Sequence, residues 1–204
     1  IADDWQVPKT LVEIPRWLVW RAKPRGNGKV DKIPVSPLTG WPCNATDPEC
    51  LTGFARAHDY ALSNQNISGL GFSLCRELGI VGGDLDGCIS DDGKLSELAI
   101  ELISTLETYF EISPGGRGLR FFGYTSLDKA LINSKVGLEI YCEKRFVTIT
   151  GNALEGTLFA LEDIQEGIDH LLERYRRQPS ASFPSFTVAT TERTDQALQR
   201  LDPD

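Results

Sequence analysis

Leu78-Gly79-Ile80-Val81-Gly82-Gly83-Asp84-Leu85-Asp86-Gly87 reads as a buried apolar strand that runs out into two carboxylates separated by one residue. Successive strand side chains point to opposite faces, so Asp84 and Asp86 share a face while Leu85 points into the core. Two carboxylates on one strand face, rimmed by glycine, form a site for a hard divalent cation such as Mg²⁺. The same residues also suit a strand that simply ends in an acidic turn. What decides between the two is what the rest of the chain brings to that face.

Immediately upstream, Gly69-Leu70-Gly71-Phe72-Ser73-Leu74 is a short strand. Its closeness to the acidic strand predicts an antiparallel pair with a tight turn around Arg76-Glu77. Before it, Leu51, Phe54, Ala55, Tyr60 and Ala61 mark one face of a helix from Leu51 to about Leu62. Trp17-Leu18-Val19-Trp20-Arg21-Ala22 reads as the first strand. A basic, glycine-containing turn over Lys23–Lys29 then leads into Asp31–Val35, which predicts a hairpin with Lys29 and Lys32 at its far side.

Downstream, residues 94–107 give the clearest helix, with Leu95, Leu98, Ile100, Leu102, Ile103 and Leu106 on its buried side. Tyr109–Ser113 and Leu119–Gly123 read as strands around the loop Pro114-Gly115-Gly116-Arg117-Gly118. Glycines around an arginine let backbone approach a ligand closely, and they equally suit a plain hairpin turn. A connection through Thr125–Lys135 leads to strands over Val136–Cys142 and Arg145–Gly151, joined by Glu143-Lys144. Alternation places Leu138, Ile140 and Cys142 on one face and Glu139 and Tyr141 on the other. A carboxylate at the centre of a strand, as Glu139 is, sits either on a solvated sheet face or as a ligand. Glu162–Arg177 has the pattern of an amphipathic helix with Ile164, Ile168, Leu171, Leu172 and Tyr175 inward. The proline- and serine-rich stretch from Gln178 to Ser185 reads as a linker, and Thr187–Asp204 has little to bury.

Composition narrows the chemistry. With only His58 and His170, a histidine-rich metal centre is excluded, and any metal is expected on oxygen. Five cysteines without a C-x-x-C pair argue against a zinc ribbon or a disulfide framework and fit a reducing cytoplasm. No apolar run approaches the roughly 18 residues of a membrane helix, and the first residues are not a signal peptide. The absence of methionine suggests a piece of a longer protein. A net charge of −8 is unfavourable for non-specific nucleic-acid binding. Basic residues nevertheless gather at Lys23, Arg25, Lys29 and Lys32 and at Arg117, Arg120, Lys144 and Arg145. Such clusters are either solvated loops or the partners of a polyanionic ligand.

In order, the chain carries Lys32 in a basic loop, the Asp84/Asp86 pair, Glu111-Ile112-Ser113-Pro114 with Gly116-x-Gly118-Leu119 leading to Arg120, and Glu139-Ile140-Tyr141-x-x-x-Arg145-Phe146-x-Thr148-x-Thr150-Gly151. This series resembles the primase–polymerase domain of phage, plasmid and mobile-element replication proteins, within the archaeo-eukaryotic primase superfamily. The resemblance runs from about Trp17 to Gly151. It implies an α+β fold, with an RRM-like catalytic core of mixed or antiparallel sheet, an N-terminal αβ portion and helices packed on the sheet. It also implies that Asp84, Asp86 and Glu139 are a catalytic triad binding two Mg²⁺ or Mn²⁺ ions, about 3.5–4 Å apart in such sites. Arg120, Arg117, Gly116, Gly118, Arg145 and Lys32 would bind the nucleotide or the template backbone, with a salt bridge to Glu143 an equal alternative for Arg145. Arg120 stands where the family motif usually has histidine, and Gly115 where serine is common. Arginine offers a permanently charged, bidentate contact to a triphosphate but no proton near neutral pH.

The expectation is therefore a metal-dependent, template-directed DNA polymerase and primase domain over residues 1–177, with 178–204 a linker toward a further module. Its partners would be DNA template and primer, dNTP or NTP, and a helicase or primer-initiation module in the same full-length chain. The alternatives are a catalytically impaired nucleotide- or nucleic-acid-binding module of the same fold, and another two-metal phosphotransferase such as a nuclease.

Overall fold

The computed structural model describes residues 6–26 and 30–176, with side chains given up to Arg174. The expected linker over 178–204 and the inward placing of Tyr175 lie outside what is described. The described residues form nine strands and four α-helices: α1 Lys9–Glu13, β1 Trp17–Pro24, β2 Val30–Val35, α2 Phe54–Ser63, β3 Gly69–Ser73, β4 Ile80–Leu85, α3 Glu97–Leu106, β5 Tyr109–Ile112, β6 Leu119–Tyr124, β7 Leu131–Asn133, β8 Leu138–Tyr141, β9 Phe146–Ile149 and α4 Gln165–Arg176. The strands make two antiparallel sheets, one ordered β2-β1-β3-β9 and the other β5-β6-β4-β8-β7. The fold is α+β, with helices packed on the sheets. In the five-stranded sheet α3 crosses from β4 to β5 while β6 occupies the place between them, which is a split β-α-β arrangement.

The β1–β2 hairpin forms as the turn residues predict, with Trp20 opposite Pro34 and Ala22 opposite Lys32. The expected pairing of β3 with β4 does not form. β3 is buried along its whole length and takes β1 and β9 as its two neighbours, while β4 takes β6 and β8. Both edges of each strand are used, so neither can pair with the other. The Arg76–Leu78 turn carries the chain from one sheet to the other instead. β8 and β9 are likewise consecutive in sequence but lie in different sheets. The two crossings are tied together, because the Arg76 guanidinium donates to the Glu143 carboxylate and to the Asp128 carbonyl (2.8 Å).

Alternation gives the five-stranded sheet two buried faces. Ile80, Tyr109 and Phe122 join a core with Trp17, Val19, Leu70, Phe72 and Ile149 of the four-stranded sheet and Ala57 and Ala61 of α2. Their chain neighbours Val81, Phe110 and Phe121 join the second core, with Leu102 and Leu106 of α3 and Ile168 and Leu171 of α4. Full burial of one such aromatic ring contributes on the order of 2–3 kcal/mol. α3 starts three residues later than expected, at its Ser96 N-cap, whose hydroxyl accepts from the Ala99 N–H (3.2 Å). Lys94 is drawn instead into a turn with Ser90. The helix's buried stripe centres on Ala99, Leu102 and Leu106, and Ile100, expected inward, is 56% exposed. Six apolar positions covered a wider arc than one face can bury. The connection after β6 contains β7, a three-residue edge strand that pairs with β8.

Gly82 and Gly83 are required by packing on both faces of β4. A Cβ on Gly82 would lie 2.6 Å from Val147 of β9, and one on Gly83 would lie 2.1 Å from the Phe121 ring. These glycines admit neighbouring side chains, and both also border open space beside Asp84. Gly83→Ala is therefore expected to destabilise the fold by about 2–3 kcal/mol or more, because the Phe121 ring is fully buried and has nowhere to move. Urea denaturation of the variant against wild type reads this directly.

Candidate active site

The strand register sets four charged residues in one row across the five-stranded sheet: Glu111 on β5, Arg120 on β6, Asp84 on β4 and Glu139 on β8. They lie on the face turned toward the four-stranded sheet. Beyond the reach of its core, that face opens into a cleft of about 650 Å³, lined by Asp84, Arg120, Glu139, Tyr141, Arg145 and Lys32 among others. The remaining walls come from β2, the loop around Asn44 and the start of β9.

Arg120 is 3% exposed. Its guanidinium donates to Asp84 Oδ2 (3.3 Å), to the Thr148 carbonyl (3.3 Å) and to the Thr148 hydroxyl. A buried guanidinium needs this density of acceptors, since an unpaired charge out of water is costly. Asp84 Oδ1, by contrast, is buried and has no hydrogen-bond partner among the described residues. Glu139, directly opposite Asp84, is held by the Tyr141 hydroxyl, which donates to Glu139 Oε2 (2.6 Å). Burial and then that bond push the Tyr141 phenol up to about 12. The Arg145 guanidinium lies 4.7 Å from the centre of the Tyr141 ring, a cation–π contact, while the Glu143 carboxylate pairs with Arg76 and Lys144.

Asp86 follows the end of β4, its N–H bonded to the Gly137 carbonyl (3.0 Å). The residue keeps solvent contact, but partial desolvation of its carboxyl, reinforced by Asp84 and by Glu139 and opposed by Arg120 and Lys32, raises its pKa. Lys32 is exposed as a residue, and its ammonium lies 6.0 Å from the centre of the Trp20 ring. Desolvation, then Arg120, lowers its pKa against the pull of Asp84 and Asp86. Asp84, Glu139, Arg120, Arg145 and Lys32 thus share the cleft, and Asp86 stands beside them.

The glycine loop does not line it. Arg117 is exposed and pairs with Asp91 (3.2 Å), and Gly116 turns with φ +72°. A Cβ on Gly118 would sit 2.8 Å from the Leu85 carbonyl, so that glycine serves the approach of β6 to β4. Thr150 is likewise tied into the fold, its hydroxyl donating to the Ile112 carbonyl (2.7 Å).

Among the described residues no three His, Cys, Asp or Glu side chains converge closely enough to hold a metal ion as they stand. Asp84, Asp86 and Glu139 are adjacent rather than convergent. The donor set still fits a hard cation. It is all carboxylate oxygen, and a buried carboxylate oxygen without a donor, such as Asp84 Oδ1, is what a cation would satisfy.

Glu111, present in the sequence motif but assigned no role there, is the fourth residue of the row. It is fully buried. Oε1 accepts from the Thr150 N–H (2.9 Å), and Oε2 accepts from the Gly151 N–H (3.1 Å) and the Tyr109 hydroxyl (3.0 Å). The signal was present in Tyr109-Phe110-Glu111-Ile112, since alternation puts Glu111 on the face of Tyr109, not of Phe110. Burial pushes its carboxyl up to about 7, against the lowering effect of its three donors and of Arg120. Between pH 4.5 and 7 the folded state therefore holds a proton that the unfolded state has released, and stability falls as pH rises through that window. The span corresponds to roughly 3 kcal/mol. Glu111→Gln removes this slope, so the wild-type-minus-variant difference in unfolding free energy is expected to fall across pH 5–8.

No family model matches the chain. It is similar to a DNA primase-polymerase of Nitratiruptor phage NrS-1, 29% identical over 164 residues, which is 78% of this chain. The chain spans about a fifth (21%) of that relative's length. The resemblance to primase–polymerases that the order of motifs carried is borne out by a phage protein of that name, along most of the chain.

Proposed function

We propose that this chain is a nucleotidyl-transfer domain of a replication protein, adding nucleotides to a 3′-hydroxyl on a DNA template. The likeness over 78% of the chain to a DNA primase-polymerase is the observation that carries this reading. The cleft adds physical support, because it sets carboxylates and basic groups face to face at the scale of a nucleotide. Asp84, Asp86 and Glu139 would hold two Mg²⁺ or Mn²⁺ ions, which when bound would activate the attacking oxygen and neutralise the phosphates. Tyr141 fixes Glu139, and Arg120 fixes Asp84. Lys32 and Arg145 supply positive potential toward a polyphosphate, and Lys32 can do so only as the protonated amine. A phage, plasmid or mobile-element setting, a helicase or primer-initiation partner and a cytoplasmic site of action complete the proposal. The five free cysteines and the lack, among the described residues, of a helix long and apolar enough to cross a membrane are compatible with it.

One observation favours a second reading. Arg120 already neutralises Asp84, as expected of a module that binds nucleotide without catalysis. Incubation with a labelled primed template, dNTPs and Mg²⁺ or Mn²⁺ separates the two. Extension is expected. Retained nucleotide binding without extension under either metal would establish the binding module instead, and a shortened labelled strand would mark a nuclease.

A further inference from the structure

The mechanism above uses Asp84, Asp86 and Glu139 and leaves Glu111, the remaining carboxylate of the row, unassigned. Glu111 is buried completely, beside a charge that is itself almost completely buried. The Arg120 guanidinium is flanked in the row by two carboxylates, Glu111 on β5 and Asp84 on β4. It contacts only Asp84 by hydrogen bond, while Glu111 acts on it through space. Glu111 also holds the two N–H groups that follow β9, at Thr150 and Gly151. Thr148, the other acceptor of Arg120, belongs to that same strand. Glu111 therefore bears on Arg120 in two ways, directly through its charge and indirectly through the backbone that follows Thr148.

We propose that Glu111 is a positioning residue for the cleft: it shares the charge of Arg120 and so limits how strongly Arg120 competes with a cation for Asp84. This inference rests on the reading of Asp84 as a cation ligand. Without Glu111, Asp84 becomes the sole carboxylate neighbour of Arg120 in the row, and its oxygens are less available. The loss of a nearby negative charge acts in the same direction.

Mn²⁺ binding to the protein without DNA or nucleotide, read by electron paramagnetic resonance, tests this apart from any activity. Wild type is expected to bind, and Glu111→Gln to bind about fivefold to tenfold more weakly at a pH near 8. Glu111→Asp, which keeps the charge, should stay within twofold to threefold of wild type. In an Arg120→Met background, where the competitor is gone, adding Glu111→Gln should change Mn²⁺ affinity less than twofold. That comparison isolates the coupling between the two residues, because the double variant removes both buried charges together. A purely structural Glu111 would lower the melting temperature and leave Mn²⁺ affinity unchanged, which overturns the proposal. An equal loss in the Arg120→Met background overturns the route through Arg120. If wild type binds no Mn²⁺, the metal reading of the cleft fails and this inference fails with it, whereas intact Mn²⁺ binding without primer extension removes only the polymerase reading.

Discussion

Asp84→Asn is expected to reduce nucleotide incorporation by on the order of 10³-fold or more while the protein stays folded. The exchange is chosen for the geometry of its neighbours. Asparagine keeps the shape of the side chain and one oxygen that can accept from Arg120, so the buried guanidinium retains a partner. It removes the charge and one of the two anionic oxygens, and Oδ1 is the one that faces no donor. A cation contributes several kcal/mol of transition-state stabilisation, and each 1.4 kcal/mol is about tenfold in rate. Asp84→Ala would confuse the result, since it leaves Arg120 with no carboxylate bonded to it and lowers stability for reasons unrelated to chemistry. Single-turnover extension with saturating dNTP and metal, beside a melting curve, is the measurement. A variant within tenfold of wild type would remove Asp84 from the metal site.

The acids of the cleft were legible because strand alternation is strict. Asp84 and Glu139 each interrupt an apolar strand, and a period of two fixes which face they take. Sheet membership was not legible. β3 and β4, or β8 and β9, look like hairpins because they are close in sequence, and nothing local records that β3, β4 and β8 each already have two other partners. The role of the glycines was hidden for a related reason: Gly82 and Gly83 line the cleft and also admit Val147 and Phe121, which come from distant parts of the chain. Glu111 shows the same limit in reverse. The motif carried its position but not its burial, which the register opposite Arg120 and the donors at Tyr109, Thr150 and Gly151 make tolerable.

Arg120 is where sequence and structure give different expectations for one substitution. From the motif alone, Arg120→Ala should chiefly raise the nucleotide concentration needed, as for a triphosphate contact. The guanidinium is instead 3% exposed and spends its donors on Asp84 and Thr148. Removing it leaves a largely buried carboxylate without its partner, a change that costs about 3–5 kcal/mol. For a protein of this size that is a fall in melting temperature of roughly 10 °C. Cation binding should move the other way. Asp84 Oδ2 is released, a positive charge is removed from the cleft, and Mn²⁺ affinity rises even as the fold weakens. Arg120→Met separates volume from charge, because it refills the space and should recover part of the lost stability without restoring the competition for Asp84. Melting curves and Mn²⁺ titrations on the same preparations read both effects. A higher dNTP requirement with unchanged melting temperature and unchanged Mn²⁺ affinity would return Arg120 to the triphosphate, and opposite shifts in stability and metal affinity would make it the residue that holds Asp84 in place.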